Sequence, residues 1–170
     1  MRDICDRALV DVRLKAGIPE HREQVSVSEF IKEIEVSAAI DAKALGIELM
    51  VSDVEPGLLI KVDRQILSGA TANLLQNAFK FTRSHGSVWL TAFSSADRVL
   101  IEVKDECGGL PPGDTEDLFR MFEQRSVDRS GLGLGLGISR RGVEANGGEL
   151  RVRNLPGKGC VFTIDLPKAV

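Results

Sequence analysis

The sequence predicts an α+β fold, a two-layer sandwich with helices packed on one face of a sheet. Three observations predict it. Strand-like alternation and helical stripes are mixed along the chain. Strands follow one another directly near the end, which a strictly alternating βαβ chain would not do. Two turn signals, Ala96-Asp97 and "PGKG", each join a pair of strands into a hairpin.

The elements follow in order. Residues 3–16 carry Ile4, Cys5, Ala8, Leu9 and Val12 on one helical stripe, stopped by Gly17, Ile18 and Pro19. That stripe reads either as a short helix on the core or as the end of a longer one. "QVSVSEF" alternates like a strand. Ser28 and Glu29 open a helix with Phe30, Ile31, Ile34, Ala38 and Leu45, closed by Gly46. "IELMVS" and "LLIKV" are strands separated by the turn "VEPG". Asp63 is an N-cap for a long helix through about Thr82. "GSVWLTAFSS" and "RVLIEVKDE" are the first hairpin. A Gly/Pro-rich loop runs from Cys107 to about Asp114, and "DTEDLFRMF" is a short helix. A polar stretch over 123–132 precedes a helix that ends near Asn146, with Gly147-Gly148 as its stop. "ELRVRNL" and "GCVFTIDLP" close the chain.

Length and composition bound the function. A chain of 170 residues suits one domain with a full core. A net charge of −3 argues against a nucleic-acid partner. No apolar run reaches the ~18 residues that a membrane span needs, and the N-terminal segment mixes charges where a signal core would be apolar. Cys5, Cys107 and Cys160 are odd in number, far apart in the chain and without metal-ligand spacing. They read as free or buried thiols in a reducing cytosol.

Three stretches carry chemistry. In "ILSGATANLLQNAFKFT", residues 66–82, Asn73, Asn77 and Lys80 fall in one sector of a helix, and Gly69 and Ala70 extend that sector with little side chain. Leu67, Leu74, Leu75 and Ala78 lie opposite, where they can bury. A solvated polar face is the plain reading, but Asn is a poor helix former. A carboxamide oxygen is a hard neutral ligand for Mg²⁺, and a lysine suits a phosphate. In "EVKDECGGLPPG", Asp105 stands at a strand end, as an ordinary acidic turn or as an acceptor for an exocyclic amine such as adenine's. Gly108 and Gly109 would let a flat ring approach the backbone. In "SGLGLGLGIS", residues 130–139, four glycines alternate with apolar residues just before a helix. Bare backbone at a helix N-terminus binds phosphate oxygens, while Leu134, Leu136 and Ile138 anchor the helix start. The usual phosphate-loop and dinucleotide patterns do not fit this loop.

In order and spacing the three stretches together resemble the catalytic ATP-binding domain of bacterial sensor histidine kinases, which have the Bergerat fold shared with type II topoisomerase and heat-shock chaperone ATPases. "NLLQNAFKFT" looks like the N box, "VKDECGGLP" the first glycine box, "LFRMFEQ" the F box and "GLGLGLGI" the second glycine box. The resemblance covers about residues 25 to 167. It implies a mixed, mostly antiparallel sheet, and Mg²⁺ and ATP as ligands. It implies that Asn77 supplies the Mg²⁺-binding amide, with Asn73 on the phosphate side and Lys80 on a phosphate. Phe81 would stand near the adenine, Asp105 would read its amine, and Gly109 would line the base pocket. Gly131, Leu132, Gly133, Leu134 and Gly135 would hold the phosphates and the lid. Phe119 and Phe122 would steer that lid, which runs from about Gln124 to Leu132.

The chain departs from the family at Cys107, where glycine is usual, which makes Cys107 a candidate reactive thiol. It also departs at Gly137, where Ser or Ala is more common, and in its short lid. In the topoisomerase and chaperone relatives, the position of Asn73 is a glutamate that activates water. An amide cannot do so at neutral pH, so the resemblance implies a kinase. His21 and His85 lack the family's acceptor setting, and each reads as a loop histidine. The acceptor is then expected outside this chain, with residues 1–20 as the end of a dimerisation-domain helix and linker and residues 21–170 as the catalytic domain. The implied partners are that histidine-bearing domain and a response regulator. The full-length protein would be a homodimer, with a monomeric fragment open. The implied location is cytoplasmic, with membrane anchoring of the parent open. A serine kinase of the same superfamily and a regulatory nucleotide-binding module are the alternatives.

Overall fold

The computed structural model describes residues 21–110 and 133–170, together with Glu116, Asp117 and Phe119. The expectations for residues 1–20, for Phe122 and for the lid through Leu132 lie outside the described residues.

Strand β1 (Glu23–Ser26) runs directly into helix α1 (Val27–Ala44). The cap is Ser26, whose hydroxyl accepts from the Glu29 amide, and not the expected Ser28. Ser26 still holds extended backbone, because β1 pairs with β3 through Ser26↔Leu59 and Val27 N donates to Leu58 O at 2.9 Å. The change from strand to helix is therefore fixed two residues earlier. Val27, Phe30, Ile31, Ile34, Ala38 and Ala42 form the buried stripe of α1, a 3.6-residue period.

Strands β2 (Glu48–Val51) and β3 (Leu59–Val62) lead to helix α2 (Arg64–Phe81). Asp63 caps α2 as expected and accepts from the Ile66 amide at 3.2 Å. Strands β4 (Ser87–Ser95) and β5 (Arg98–Lys104) make the first hairpin, with Ala96 at φ 53° in its turn. Helix α3 (Gly133–Ala145) is followed by β6 (Glu149–Leu155) and β7 (Gly159–Pro167).

The main sheet has the order β2-β4-β5-β7-β6. Only β2 runs parallel to its neighbour; the other three pairings are antiparallel. A separate β1–β3 ribbon adds to the expected sheet, tied to the chain end by an Ile60↔Lys168 bridge. One face of the main sheet presents Val88, Leu90, Val99, Ile101 and Ile164, all fully buried with Leu67, Leu74 and Leu75 of α2. Each such side chain contributes about 1.5–3 kcal/mol through burial. The other face is held by polar pairs. Asp165 receives Arg98 at 2.6 Å and Arg151 at 2.7 Å, Thr163 bonds Glu102, and the Lys104 ammonium lies 4.8 Å from the Trp89 ring centre. The result is the two-layer α+β sandwich, with α2 lying along the sheet and both of its ends near loops.

Candidate functional site

Helix α2 is the spine of the site. Its apolar residues lie on the sheet, yet Asn73 and Asn77 are also buried, at 4% and 5% exposure. The two asparagines therefore lie inside the molecule, and the solvated reading does not hold for them, although Gly69 and Lys80 of the same sector are exposed. The Asn73 amide donates to Ser139 Oγ at 2.9 Å, and Ser139 Oγ donates to the Ala70 carbonyl at 3.4 Å. Ser139 is fully buried on α3. Helix α3 is also tied to the start of α2, since Asp63 N donates to Asn146 Oδ1 at 2.7 Å. These bonds fix the asparagine pair relative to the glycine-rich start of α3.

The two carboxamide oxygens are left over. Among the described residues, Asn73 Oδ1 and Asn77 Oδ1 are the buried side-chain N or O atoms without a hydrogen-bond partner. A buried polar atom with no partner costs about 1–3 kcal/mol, and such atoms call for an explanation. Two neutral oxygens one helical turn apart are hard donors of the type Mg²⁺ takes alongside phosphate oxygens and water. The residues present fit that ion.

At the far end of α2, Lys80 and Phe81 are exposed, with the Lys80 ammonium 5.5 Å from the Phe81 ring centre. Thr82 then joins α2 to the exit of β5, where its Oγ1 accepts from the Glu106 amide at 3.3 Å. The N-box helix and the first glycine-box loop thus meet, as their expected sharing of one site requires.

That loop is built around Asp105, at 4% exposure. Asp105 Oδ1 accepts from the Cys107 amide at 3.1 Å and the Cys160 amide at 3.0 Å. Oδ2 accepts from the Cys160 thiol at 3.1 Å. The first oxygen fixes the carboxylate and the second is presented by it. Gly159 makes this possible: a Cβ there would stand 1.9 Å from the Asp105 carbonyl oxygen. Gly109 sits at φ +102°, left-handed backbone that side chains rarely adopt. A Cβ on it would stand 3.2 Å from Gly157 N, so the β6–β7 turn packs close against it.

Helix α3 starts directly after the 123–132 stretch, as expected, and Gly133, Leu134 and Gly135 lie in its first turn and not just before it. Glycine accepts helical dihedrals, and the first-turn N–H groups have no intrahelical partner whichever residue carries them. The backbone donors expected of this stretch are thus those of a helix start. Gly131 lies outside the described residues. Arg140, farther along α3, grips Glu116 with two nitrogens at 3.1 and 2.7 Å, and its guanidinium lies 4.8 Å from the ring of Phe119. This side chain ties Glu116 and Phe119 to α3.

Two features escaped the sequence. One is Ser139, hidden because nothing in its local pattern says which helix it faces. The other is the meeting of Cys107 and Cys160. Though 53 residues apart, their sulfurs stand 3.8 Å from each other beside Asp105. Burial first, then Asp105, raises the Cys107 thiol above its ordinary range. The same two causes raise Cys160 further. Both shifts disfavour the thiolate, which argues against the reactive role expected of Cys107.

Comparison with known proteins agrees with this fold. The profile described as "Histidine kinase-, DNA gyrase B-, and HSP90-like ATPase" matches residues 62–170. The circadian input-output histidine kinase CikA of Synechococcus elongatus is 34% identical over 114 residues, 65% of this chain and 15% of that protein. The full-length kinase ShkA, solved in complex with AMPPNP, superposes with a TM-score of 0.80 at 30% identity, over 97% of this chain and 35% of that one. The catalytic domain of histidine kinase ThkA gives a TM-score of 0.76 at 25% identity, over 87% and 96% of the two chains. The chain spans between 13% and 30% of the length of the most similar curated relatives. Among the described residues, no helix is long and apolar enough to cross a membrane.

Proposed function

The chain belongs to the histidine kinase-, DNA gyrase B- and HSP90-like ATPase family, as an ATP-binding catalytic domain of the sensor histidine kinase kind, and we propose that it passes the γ-phosphoryl of Mg·ATP to a histidine on a partner dimerisation domain. The observation that carries this reading is the pair of buried carboxamide oxygens on Asn73 and Asn77 without a protein partner.

Asn77 Oδ1 is the ligand proposed for Mg²⁺, and Asn73 stands beside the phosphates with its amide held by Ser139. Bound there, Mg²⁺ supplies charge neutralisation on the phosphate oxygens. Lys80, at the end of the same helix, pairs with a phosphate. Asp105 Oδ2 accepts the adenine amine, while Phe81 and Gly109 border the base. The first-turn amides of α3, at Gly133, Leu134 and Gly135, donate to phosphate oxygens together with Gly131 and Leu132. These groups hold the phosphoryl for in-line attack, so positioning and electrostatics supply the catalysis.

The amide at position 73 decides the reaction class. It cannot take a proton from water, so hydrolysis is disfavoured and transfer to an external nucleophile is favoured. The acceptor is an imidazole of the parent kinase's dimerisation domain, a response regulator receives the group next, and the reaction runs in the cytoplasm. Phosphotransfer from this chain to a separately purified histidine-bearing domain tests the reading. Acid-labile phosphate on that domain is the expected product. Acid-stable phosphoserine, or free phosphate alone, would contradict it.

A further inference from the structure

Asp105, Cys107 and Cys160 place one carboxylate oxygen and two sulfurs within 4.8 Å of one another. We propose that they form a binding site for a thiophilic divalent cation, Zn²⁺ in chemical class, and that the cation and the adenine base exclude each other. The exclusion rests on the nucleotide reading above; the metal site does not.

The spacing is that of a chelate. A metal–sulfur bond is about 2.3 Å, so two sulfurs at tetrahedral corners stand about 3.8 Å apart. Cys107 Sγ and Cys160 Sγ are 3.8 Å apart. A disulfide would need about 2.0 Å. Asp105 Oδ2 lies 3.1 Å from Cys160 Sγ, on the same side as the pair. The carboxylate is already oriented, because its other oxygen accepts two backbone amides. Such outer bonds aim a ligand before the metal arrives.

The donor set selects the ion. Two sulfurs and one carboxylate oxygen suit Zn²⁺ and its probe Co²⁺, whereas Mg²⁺ prefers an octahedral oxygen shell. The proposed Mg²⁺ ligand, Asn77, offers only an amide oxygen. On the nucleotide reading, one ligand would therefore meet a hard site at Asn77 and a soft site at Asp105, Cys107 and Cys160. Three protein ligands leave a fourth position for water.

Binding is balanced by proton release. Two S–H bonds break, two metal–sulfur bonds form, and two protons pass to solvent. Asp105 Oδ2 exchanges its thiol hydrogen bond for the metal. That same oxygen then no longer accepts an adenine amine, so occupation by metal weakens nucleotide binding. By linkage, nucleotide weakens the metal by the same factor.

The test uses the 170-residue chain with Cys5→Ser as background, freed of metal and kept reduced with a phosphine. Co²⁺ alone is titrated first. The expected result is a thiolate-to-cobalt charge-transfer band that saturates at one equivalent and is bleached by Zn²⁺. Cys107→Ser and Cys160→Ser, each checked for folding by circular dichroism, should each lose the band and at least tenfold in affinity. Adenosine, which lacks phosphates to chelate the metal, should raise the apparent Kd for Co²⁺. No band at stoichiometric metal, or a band that survives in both variants, overturns the site. An unchanged Kd in saturating adenosine overturns the exclusion. Cobalt uptake with the band in a chain that binds no adenosine upholds the site and overturns the nucleotide reading, and adenosine binding without a band does the reverse.

Discussion

The side-chain amide of Asn73 on α2 donates to the hydroxyl of Ser139 on α3 across 2.9 Å, with both residues buried. This bond is a long-range clamp between the helix that carries the asparagines and the helix whose first turn offers bare backbone. Ser139→Ala removes the acceptor and leaves a buried amide unpaired, which costs about 1–3 kcal/mol. Urea denaturation should show that loss, with weaker nucleotide binding alongside. A variant as stable as the parent would mean that the bond does not hold the helices.

Asn77 makes the opposite prediction for stability. Its buried oxygen has no partner, and an apolar group of similar shape removes that penalty. Asn77→Leu should melt at or above the parent's temperature while Mg²⁺-dependent binding of AMPPNP is lost. Activity and stability then move apart, as they do where a strained site is kept for function. A large drop in melting temperature would assign Asn77 to the core and not to the ligand.

Gly159 sets the position of Asp105. A Cβ at 1.9 Å from the Asp105 carbonyl oxygen cannot be absorbed by a flexible side chain. Gly159→Ala should cost about 1–3 kcal/mol, the range for overpacked sites. It should also displace the carboxylate, so adenosine affinity falls at least tenfold. Unchanged adenosine binding in the folded variant would separate Asp105 from base recognition.

The thiols give a pH dependence. Folding raises the pKa of Cys107 and of Cys160, through burial and then Asp105. Below the ordinary thiol range both states hold the protons and nothing changes with pH. Above it, the unfolded chain releases protons that the native state keeps, so the native state binds more and stability falls as pH rises. The chain has no tyrosine to add a phenol titration. With chelator and reductant present, the urea midpoint of the parent should fall between about pH 8 and pH 10 more steeply than that of a Cys107→Ser/Cys160→Ser double variant. Parallel curves would show that the two thiols ionise normally.

Much of this was legible in the sequence, for reasons that can be located. Asp63 and the Ala96-Asp97 turn act within a few residues, so local chemistry fixes them. Asn73, Asn77 and Lys80 were placed together by helical period alone. The cap at Ser26 was missed because the pairing of β1 with β3 ends the strand there, a contact made over more than thirty residues. The start of α3 directly after residues 123–132 was expected, but the glycines also read as a loop leading into the helix, and they form its first turn, where the burial of Leu136 outweighs glycine's poor propensity. The Cys107–Cys160 contact needs β5 and β7 to be neighbours, and no local pattern states that pairing.

The central claim is that α2 and the β5 exit hold one Mg²⁺-bound adenine nucleotide between them. Calorimetry of the purified chain with AMPPNP, with and without Mg²⁺, tests it most directly. Binding of one nucleotide per chain, with affinity that rises on adding Mg²⁺ in the parent but not in Asn77→Leu, is the predicted result. A folded parent chain that takes up no nucleotide in the presence of Mg²⁺ would contradict the account.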